Sequence, residues 1–119
     1  MHKMFLTIAL ASLALMAGSV SAQSKNGTVR GVVRDASKLA IPGVQVGLIN
    51  PETRTGIKTI TNESGEYRFD VPPAAYQLYA YLPGFKLLRG PDLKLNESET
   101  IQKELTLTVD SATFQLLGQ

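Results

Sequence analysis

The stretch Thr61–Phe85 constrains the fold more than any other part of the chain. It contains two short runs, Glu66–Val71 and Tyr76–Ala80, in which the larger apolar side chains occupy every second position. This spacing is typical of a half-buried β-strand, because successive side chains of a strand point to opposite faces of the sheet. The Pro72-Pro73 pair separates the runs, since proline has no N–H for a sheet ladder. The stretch therefore predicts two strands joined by a tight corner.

The same alternation divides the side chains of this stretch into two sets. One set is expected to face the core: Tyr67, Phe69, Val71, Tyr76, Leu78 and Ala80. The other set includes Gln77, Tyr79 and Tyr81, which are expected to face outward. A tyrosine offers a flat ring and a hydroxyl, which suit both sugar rings and protein contacts. We therefore predict a ligand-binding face at these three residues. The alternative is that the tyrosines only favour the strand, or that they pack beneath the apolar tail segment Thr113–Leu117.

Short alternating segments recur along the rest of the chain. Further strands are predicted at residues 28–35, 44–50, 56–61, 85–95 (interrupted at Gly90-Pro91-Asp92) and 100–109. Gly31, in the first of them, is expected to permit a bulge or the close approach of another backbone. No apolar stripe with helical spacing is long enough for a helix. About seven short strands at close spacing predict an all-β fold, an antiparallel Greek-key β-sandwich.

The N-terminal residues Met1–Ala22 have the features of a secretory signal peptide. A short basic start precedes an apolar run, and Val20 and Ala22 place small side chains where signal peptidase reads them. The apolar run is shorter than the about 20 residues that a transmembrane helix needs. We therefore expect cleavage after Ala22, no stable membrane insertion afterwards, and a bacterial protein exported to the periplasm or the extracellular space.

Behind the leader, the sequence predicts a flexible lead-in at 23–27, one sandwich domain at 28–109 and a C-terminal tail at 110–119. There is no cysteine, so neither disulfides nor thiolate metal ligands are available. The leader contains one of the 12 Lys and Arg residues and none of the 10 Asp and Glu residues. The nearly balanced charge of the rest argues against a nucleic-acid partner.

Several short motifs occur in a particular order along the chain. They are Gly31, Val33 and Asp35; Ile41–Val46; Thr61–Phe69; Val71-Pro72-Pro73; Tyr76-Gln77-Leu78; and Pro83-Gly84-Phe85. Together they resemble the carboxypeptidase regulatory-like domain, a transthyretin-like β-sandwich of the carbohydrate-binding-like superfamily, from about Thr28 to Val109. The resemblance implies a non-catalytic accessory domain. The sequence departs from the family pattern at three turn positions: Lys38-Leu39, Asn62 and Ala74-Ala75.

Residues for the commonest kinds of catalysis are missing behind the leader. The chain's single histidine is His2, which excludes histidine triads and histidine-ligated zinc from the predicted domain. Glu63 and Glu66 are the nearest carboxylate pair for a glycosidase, but they flank a turn. With Asp70 they show no calcium-loop spacing, so we predict no metal and no cofactor.

The sequence alone does not decide whether one covalent modification forms. Some related sandwiches form a Lys–Asn isopeptide bond, and Lys25, Lys38 and Asn96 are available for one. The segment Tyr76–Phe85 contains no acid to assist the reaction. An intact mass that matches the unmodified chain would eliminate this idea.

The sequence thus predicts an exported, non-catalytic binding or accessory module. Carbohydrate binding at Gln77, Tyr79 and Tyr81 is the leading function. The alternative is a protein–protein or structural module of the cell envelope, with another envelope or secreted protein as partner, and a hydrolase is the remote alternative. A row of exposed aromatic side chains would favour a sugar, whereas an uncovered edge strand would favour a protein partner.

Overall fold

A computed structural model describes residues 25–111 of the 119-residue chain. Within these residues the chain forms eight strands in two four-stranded sheets. The strands are β1 (Gly27–Asp35), β2 (Gln45–Asn50), β3 (Thr55–Ile60), β4 (Glu66–Val71), β5 (Ala74–Tyr81), β6 (Leu88–Leu95), β7 (Thr100–Gln102) and β8 (Leu105–Leu107). The first sheet has the order β4-β1-β7, with β8 also paired to β1, and the second has the order β3-β2-β5-β6. The predicted all-β sandwich is confirmed.

The apolar positions of the alternating segments form one core between the sheets. All the residues that alternation assigned to the core are buried: Tyr67, Phe69, Val71, Tyr76, Leu78 and Ala80. The second sheet contributes the fully buried Leu48 and Leu78, and β8 of the first sheet contributes Leu107. Burial of a side chain of this size contributes about 1.5–3 kcal/mol. Because the chain has no cysteine, this burial and the strand ladders hold the fold together.

The last predicted strand, at 100–109, differs from the prediction in two ways. It is divided into β7 and β8, so the count rises from about seven to eight. Both pieces pair with β1 in parallel, whereas the other strand pairs are antiparallel as predicted. β7 lies beside Thr28–Arg30 and β8 beside Val33–Asp35, so Lys103 and Glu104 pass the middle of β1.

Gly31 explains the position of this division. The Lys103 carbonyl lies where a side chain at position 31 would begin, and it accepts a hydrogen bond from the Tyr67 hydroxyl at 2.7 Å. The Lys103 N–H donates to the Arg30 carbonyl oxygen at 2.9 Å. Burial raises the pKa of Tyr67 to about 12, so its hydroxyl remains a donor at neutral pH. The close backbone approach predicted at Gly31 is confirmed.

β6 is the interrupted strand that the sequence predicted, with a later start. It begins at Leu88, because Phe85 makes only an isolated bridge with Val109. The strand continues through Gly90 and Pro91, and its register with β5 shifts between Gln77 and Tyr79. The bulge accommodates the proline, which cannot donate to a ladder.

Each turn position that departs from the family pattern has a defined conformation in this chain. Lys38 takes the left-handed conformation, with a φ of 68°, that a glycine adopts more easily. The Asn62 side-chain oxygen accepts hydrogen bonds from the N–H groups of Ser64 at 3.0 Å and Glu66 at 2.9 Å. An asparagine can close this turn because its carbonyl oxygen replaces a carboxylate oxygen as acceptor. Ala74 and Ala75 simply begin β5.

Two predictions fall outside the described residues: the signal peptide at 1–22 and the packing of Thr113–Leu117. Within residues 25–111 there is no helix with the length and apolar character that a membrane crossing requires.

We expect Gly31→Ala to lower the free energy of unfolding by about 2–3 kcal/mol, because the new methyl group would overlap the Lys103 carbonyl. Gly56→Ala is the matched control, since a Cβ there meets its nearest atom, the Leu48 carbonyl oxygen, at 3.4 Å. We expect the control to change stability by no more than about 0.5 kcal/mol. Urea unfolding of both variants measures the difference. Equal effects would contradict the role given to Gly31.

Candidate functional site

The three residues of the predicted binding face lie on the outer side of the second sheet. Gln77, Tyr79 and Tyr81 alternate along β5 with the buried Tyr76, Leu78 and Ala80. Gln77 is exposed, Tyr79 is half-buried, and Tyr81 is 43% exposed. The predicted orientation is therefore present, but the two tyrosines have different surroundings.

A groove of about 350 Å³ lies on this face, beside the bulge in β6. Its main side chains are Ile49, Gln77, Tyr79, Leu87, Arg89 and Asp92. Across the ladder, Arg89 pairs with Tyr79 and Asp92 pairs with Gln77. The groove thus joins two of the predicted residues, while Tyr81 is not part of its lining. It offers an aromatic ring, an amide and one charge of each sign, which suit binding of a polar ligand.

Tyr79 also has a structural role. Its ring lies over Gly47 of β2, in the space that a side chain at position 47 would occupy. Its hydroxyl is 3.5 Å from the Gln45 amide nitrogen, a weak hydrogen bond. An aromatic ring placed over a strand glycine supplies the packing that the glycine lacks. Tyr79 therefore stabilises the β2–β5 pair.

The other candidates from the sequence do not form a site. Glu63 and Glu66 flank the Asn62 turn, and both are exposed. Residues 25–111 contain no group of three or more His, Cys, Asp or Glu side chains that could hold a metal ion. The isopeptide candidates Lys25, Lys38 and Asn96 are also all exposed.

The free edge of β3 is a second surface. Among residues 25–111, β3 ends the second sheet and pairs only with β2. It exposes two large apolar side chains, Ile57 at 45% and Ile60 at 57%. Lys58 is its only charged residue, and it contains no proline. Prolines, bulges or charges usually protect an edge strand against pairing with another strand. This edge has only one such charge, so it is weakly protected.

Alternation along β3 identifies the backbone groups on the free edge. The Thr61 N–H donates to the Val44 carbonyl at 2.9 Å, so Thr61 directs its backbone toward β2. In an antiparallel pair, successive residues direct these groups to opposite sides. Thr59 and Ile57 therefore also bond to β2. The N–H and C=O groups of Gly56, Lys58 and Ile60 point away from the sheet.

Residues of β1, β4 and β7 in the first sheet line a polar cavity of about 530 Å³. Three charged residues line it: Arg30, Glu66 and Arg68. Thr59 and Ile60 at the end of β3 line the same cavity. Neither this cavity nor the β3 edge is recognisable in the sequence. Both depend on which strands become neighbours, which the local pattern does not show.

These observations define a small two-sheet β-sandwich with a groove on one face and a weakly protected edge at β3. The sequence matches the carboxypeptidase regulatory-like domain over residues 28–109. The chain therefore belongs to the carboxypeptidase regulatory-like domain family, as its motifs suggested. No curated protein matches the chain.

Solved structures with the same fold come from proteins with different roles. The Bacillus anthracis TIE protein has a TM-score of 0.62 and 15% identity over 71% of this chain and 18% of its own. Catechol 1,2-dioxygenase from an Acinetobacter species has a TM-score of 0.62 and 11% identity over 79% and 56%, respectively. BcpA, the major pilin subunit of Bacillus cereus, has a TM-score of 0.60 and 17% identity over 72% and 31%. The chain spans less than two thirds of each of these proteins, and the similarity concerns the fold alone.

We expect Tyr79→Ala to lower the free energy of unfolding by about 1–2 kcal/mol, because it uncovers Gly47. Tyr81→Ala is the matched control, two positions along the same strand and face, and should cost no more than about 0.5 kcal/mol. Urea unfolding compares the two variants. Equal losses would show that Tyr79 has no special packing role.

Proposed function

We propose that this domain is an exported, non-catalytic interaction module that binds an extended segment of another protein at the free edge of β3. The observation that carries the proposal is the set of outward N–H and C=O groups at Gly56, Lys58 and Ile60. A partner segment can pair with these groups as an additional strand of the second sheet. The uncovered edge strand is also the feature that favours a protein partner over a sugar.

The exposed isoleucines supply an apolar contribution to the same contact. Ile57 lies opposite Leu48 of β2, on the core side of the sheet, and is exposed because no strand of residues 25–111 lies beyond it. Ile60 lies opposite Gln45, on the outer side. An added strand would therefore cover one isoleucine on each face. Main-chain hydrogen bonds would supply affinity, and side chains at alternate positions would supply selectivity.

The remaining edges are better protected against such pairing. On β4, the charged residues Glu66, Arg68 and Asp70 occupy every second position. β6 has a bulge and Pro91. β7 and β8 have only three residues each. Within residues 25–111, β3 is therefore the edge best suited to a partner strand.

The comparisons are compatible with an interaction role. The family is described as a regulatory-like domain, and one protein with the same fold, BcpA, is a pilin subunit. The similarity to a catechol dioxygenase, at 11% identity, concerns the fold alone and does not support a catalytic role. Export is supported by the composition of Met1–Ala22.

Lys58→Pro tests the proposal. Because the Lys58 N–H points to the free edge, proline there should leave the β2–β3 bonds intact but remove a donor that a partner strand needs. The probes are seven-residue peptides selected from a random display library on the purified protein. We expect Lys58→Pro to weaken their binding at least about tenfold, the effect of losing about 1.4 kcal/mol, as measured by fluorescence anisotropy.

Lys94→Pro is the matched control for this experiment. Lys94 is an exposed lysine on β6, at the opposite edge of the same sheet. Its substitution should leave peptide binding within about twofold, a change of less than about 0.5 kcal/mol. Equal weakening by both variants, or an unaffected Lys58→Pro with a native circular dichroism spectrum, would reject binding at β3.

Carbohydrate binding in the groove is the second candidate function. The observation in its favour is that Gln77 and Tyr79 lie together with Arg89 and Asp92 around one groove. A tyrosine ring can stack on a sugar while the polar groups bind its hydroxyls. Against it, Tyr79 is half-buried over Gly47, and Tyr81 lies outside the groove.

A glycan array on the purified protein tests this second candidate. If the groove binds a sugar, Gln77→Ala should weaken binding to the best glycan at least about tenfold, because it removes a polar contact in the groove. Tyr81→Ala should have a smaller effect. Tyr79→Ala is not used, since it also destabilises the sheet. An array without a reproducible glycan would remove carbohydrate from consideration.

A further inference from the structure

The charged residues around the polar cavity on the first sheet differ in their partners. Arg68 pairs with Asp70, with its Nε 3.3 Å from the carboxylate. The Thr28 hydroxyl donates to the same carboxylate at 2.8 Å, and this bond, followed by Arg68, lowers the pKa of Asp70. Glu66 accepts a hydrogen bond from the Asn62 amide at 3.3 Å. Arg68 therefore has an ionic partner, whereas Glu66 is held by a neutral amide.

Arg30 is the third charged residue, and its guanidinium has no such partner. It forms no ion pair and no side-chain hydrogen bond with any residue of the range 25–111. It also lies directly opposite Arg68 in the β1–β4 ladder. Like charges placed opposite each other on neighbouring strands are destabilising. Because no residue of the range 25–111 pairs with it, the Arg30 guanidinium is available to an anion.

The surroundings of Arg30 fit a carboxylate group. Gln102 of β7 lies beside Arg30 in the parallel pair and lines the same cavity, so an amide is available next to the guanidinium. A guanidinium binds a carboxylate through two parallel N–H bonds, which are stronger than neutral hydrogen bonds. The cavity of about 530 Å³ is large enough for an acidic side chain.

The cavity also connects this cation to the β3 edge. Thr59 and Ile60, which line one side of the cavity, are the last two residues of β3. A segment paired to β3 would pass the cavity at this end of the strand. Lys58 adds a positive charge to the edge itself. A partner segment with carboxylates would complement both charges, whereas a second copy of β3 in antiparallel pairing would bring its own Lys58 close to this one.

We propose that the segment bound at β3 is acidic and that one of its carboxylates binds Arg30 in the cavity. This inference rests on the proposed strand addition at β3 and adds the chemistry of the partner. The occupant is an extended Asp- or Glu-containing segment of another protein. Arg30 fixes the position of the segment along the edge, and the main-chain bonds hold it there.

Two matched peptide pools test the proposal. Each pool contains seven-residue peptides built from Val, Ile and Thr, and the pools differ only by Glu in one and Gln in the other at the central three positions. The pools are titrated into the ¹⁵N-labelled full chain, and the backbone amides and arginine Nε–H groups are followed by NMR. We expect the Glu pool to shift Gly56, Lys58, Ile60 and the Arg30 Nε–H, and to bind about 3–10-fold more tightly at low salt.

Arg30→Gln and Arg34→Gln form the variant pair. Arg34 is on the same strand and face, but it lies 3.7 Å from Glu104 and outside the cavity lining. Arg30→Gln should abolish the preference for the Glu pool without reducing binding of the Gln pool. Arg34→Gln should preserve the preference. A preference lost equally in both variants would show general electrostatic attraction and overturn the role of Arg30.

The outcomes separate this inference from the proposed function. Equal shifts at β3 from both pools, without a shift at Arg30, would uphold strand addition and overturn the acidic partner. Shifts at Arg30 without shifts at β3 would overturn strand addition and the peptide proposed here. Tighter binding of oligogalacturonate at Arg30 than of the Glu pool would indicate an acidic sugar instead. Shifts at β3 that depend on protein concentration alone would indicate a second copy of the chain.

Discussion

The first sheet depends on the close contact between the Lys103 carbonyl and the backbone of Gly31. β1 is the central strand of this sheet, with β4 on one side and β7 and β8 on the other. A backbone can come so close only where the facing residue has no side chain. The Tyr67 hydroxyl satisfies the carbonyl at 2.7 Å. One glycine, one tyrosine and one backbone group thus join three strands that are distant in sequence.

Much of the fold follows from local alternation, because burial of one face of a sheet imposes a period of two. The core residues of β4 and β5 could be predicted for this reason. The division of residues 100–109 could not, since Ile101, Lys103, Leu105 and Leu107 alternate without interruption. The interruption is caused by Gly31 in another strand. The parallel pairing is equally non-local.

The candidate surfaces were less predictable than the core. The outward direction of Gln77 and Tyr79 followed from alternation. The packing of Tyr79 on Gly47 required knowledge that β2 lies beside β5. Ile57 and Ile60 look like ordinary strand residues in the sequence, and only the strand order places them on an open edge. Likewise, only the pairing of β1 with β4 shows that Arg30 lies opposite Arg68.

The two sheets differ in how their surfaces are protected. On the outer side of the first sheet, Arg68 and Arg34 form ion pairs with neighbouring acids, and Arg30 forms none with a residue of the range 25–111. In the second sheet, β6 is protected by a bulge and a proline, while β3 has a single lysine. Arg30 and the C-terminal end of the β3 edge both border the polar cavity. This coincidence is the reason for assigning recognition to that corner of the sandwich and not to the groove.

Recognition at β3 requires that its backbone be free on one side. Amide hydrogen exchange of the purified protein, measured residue by residue by NMR, tests it most directly. Hydrogen-bonded amides of a strand exchange slowly, whereas those directed to solvent exchange fast. We expect fast exchange at Gly56, Lys58 and Ile60 and slow exchange at Ile57 and Thr59. Uniformly slow exchange along β3 would show that the edge is already covered and would rule out strand addition there.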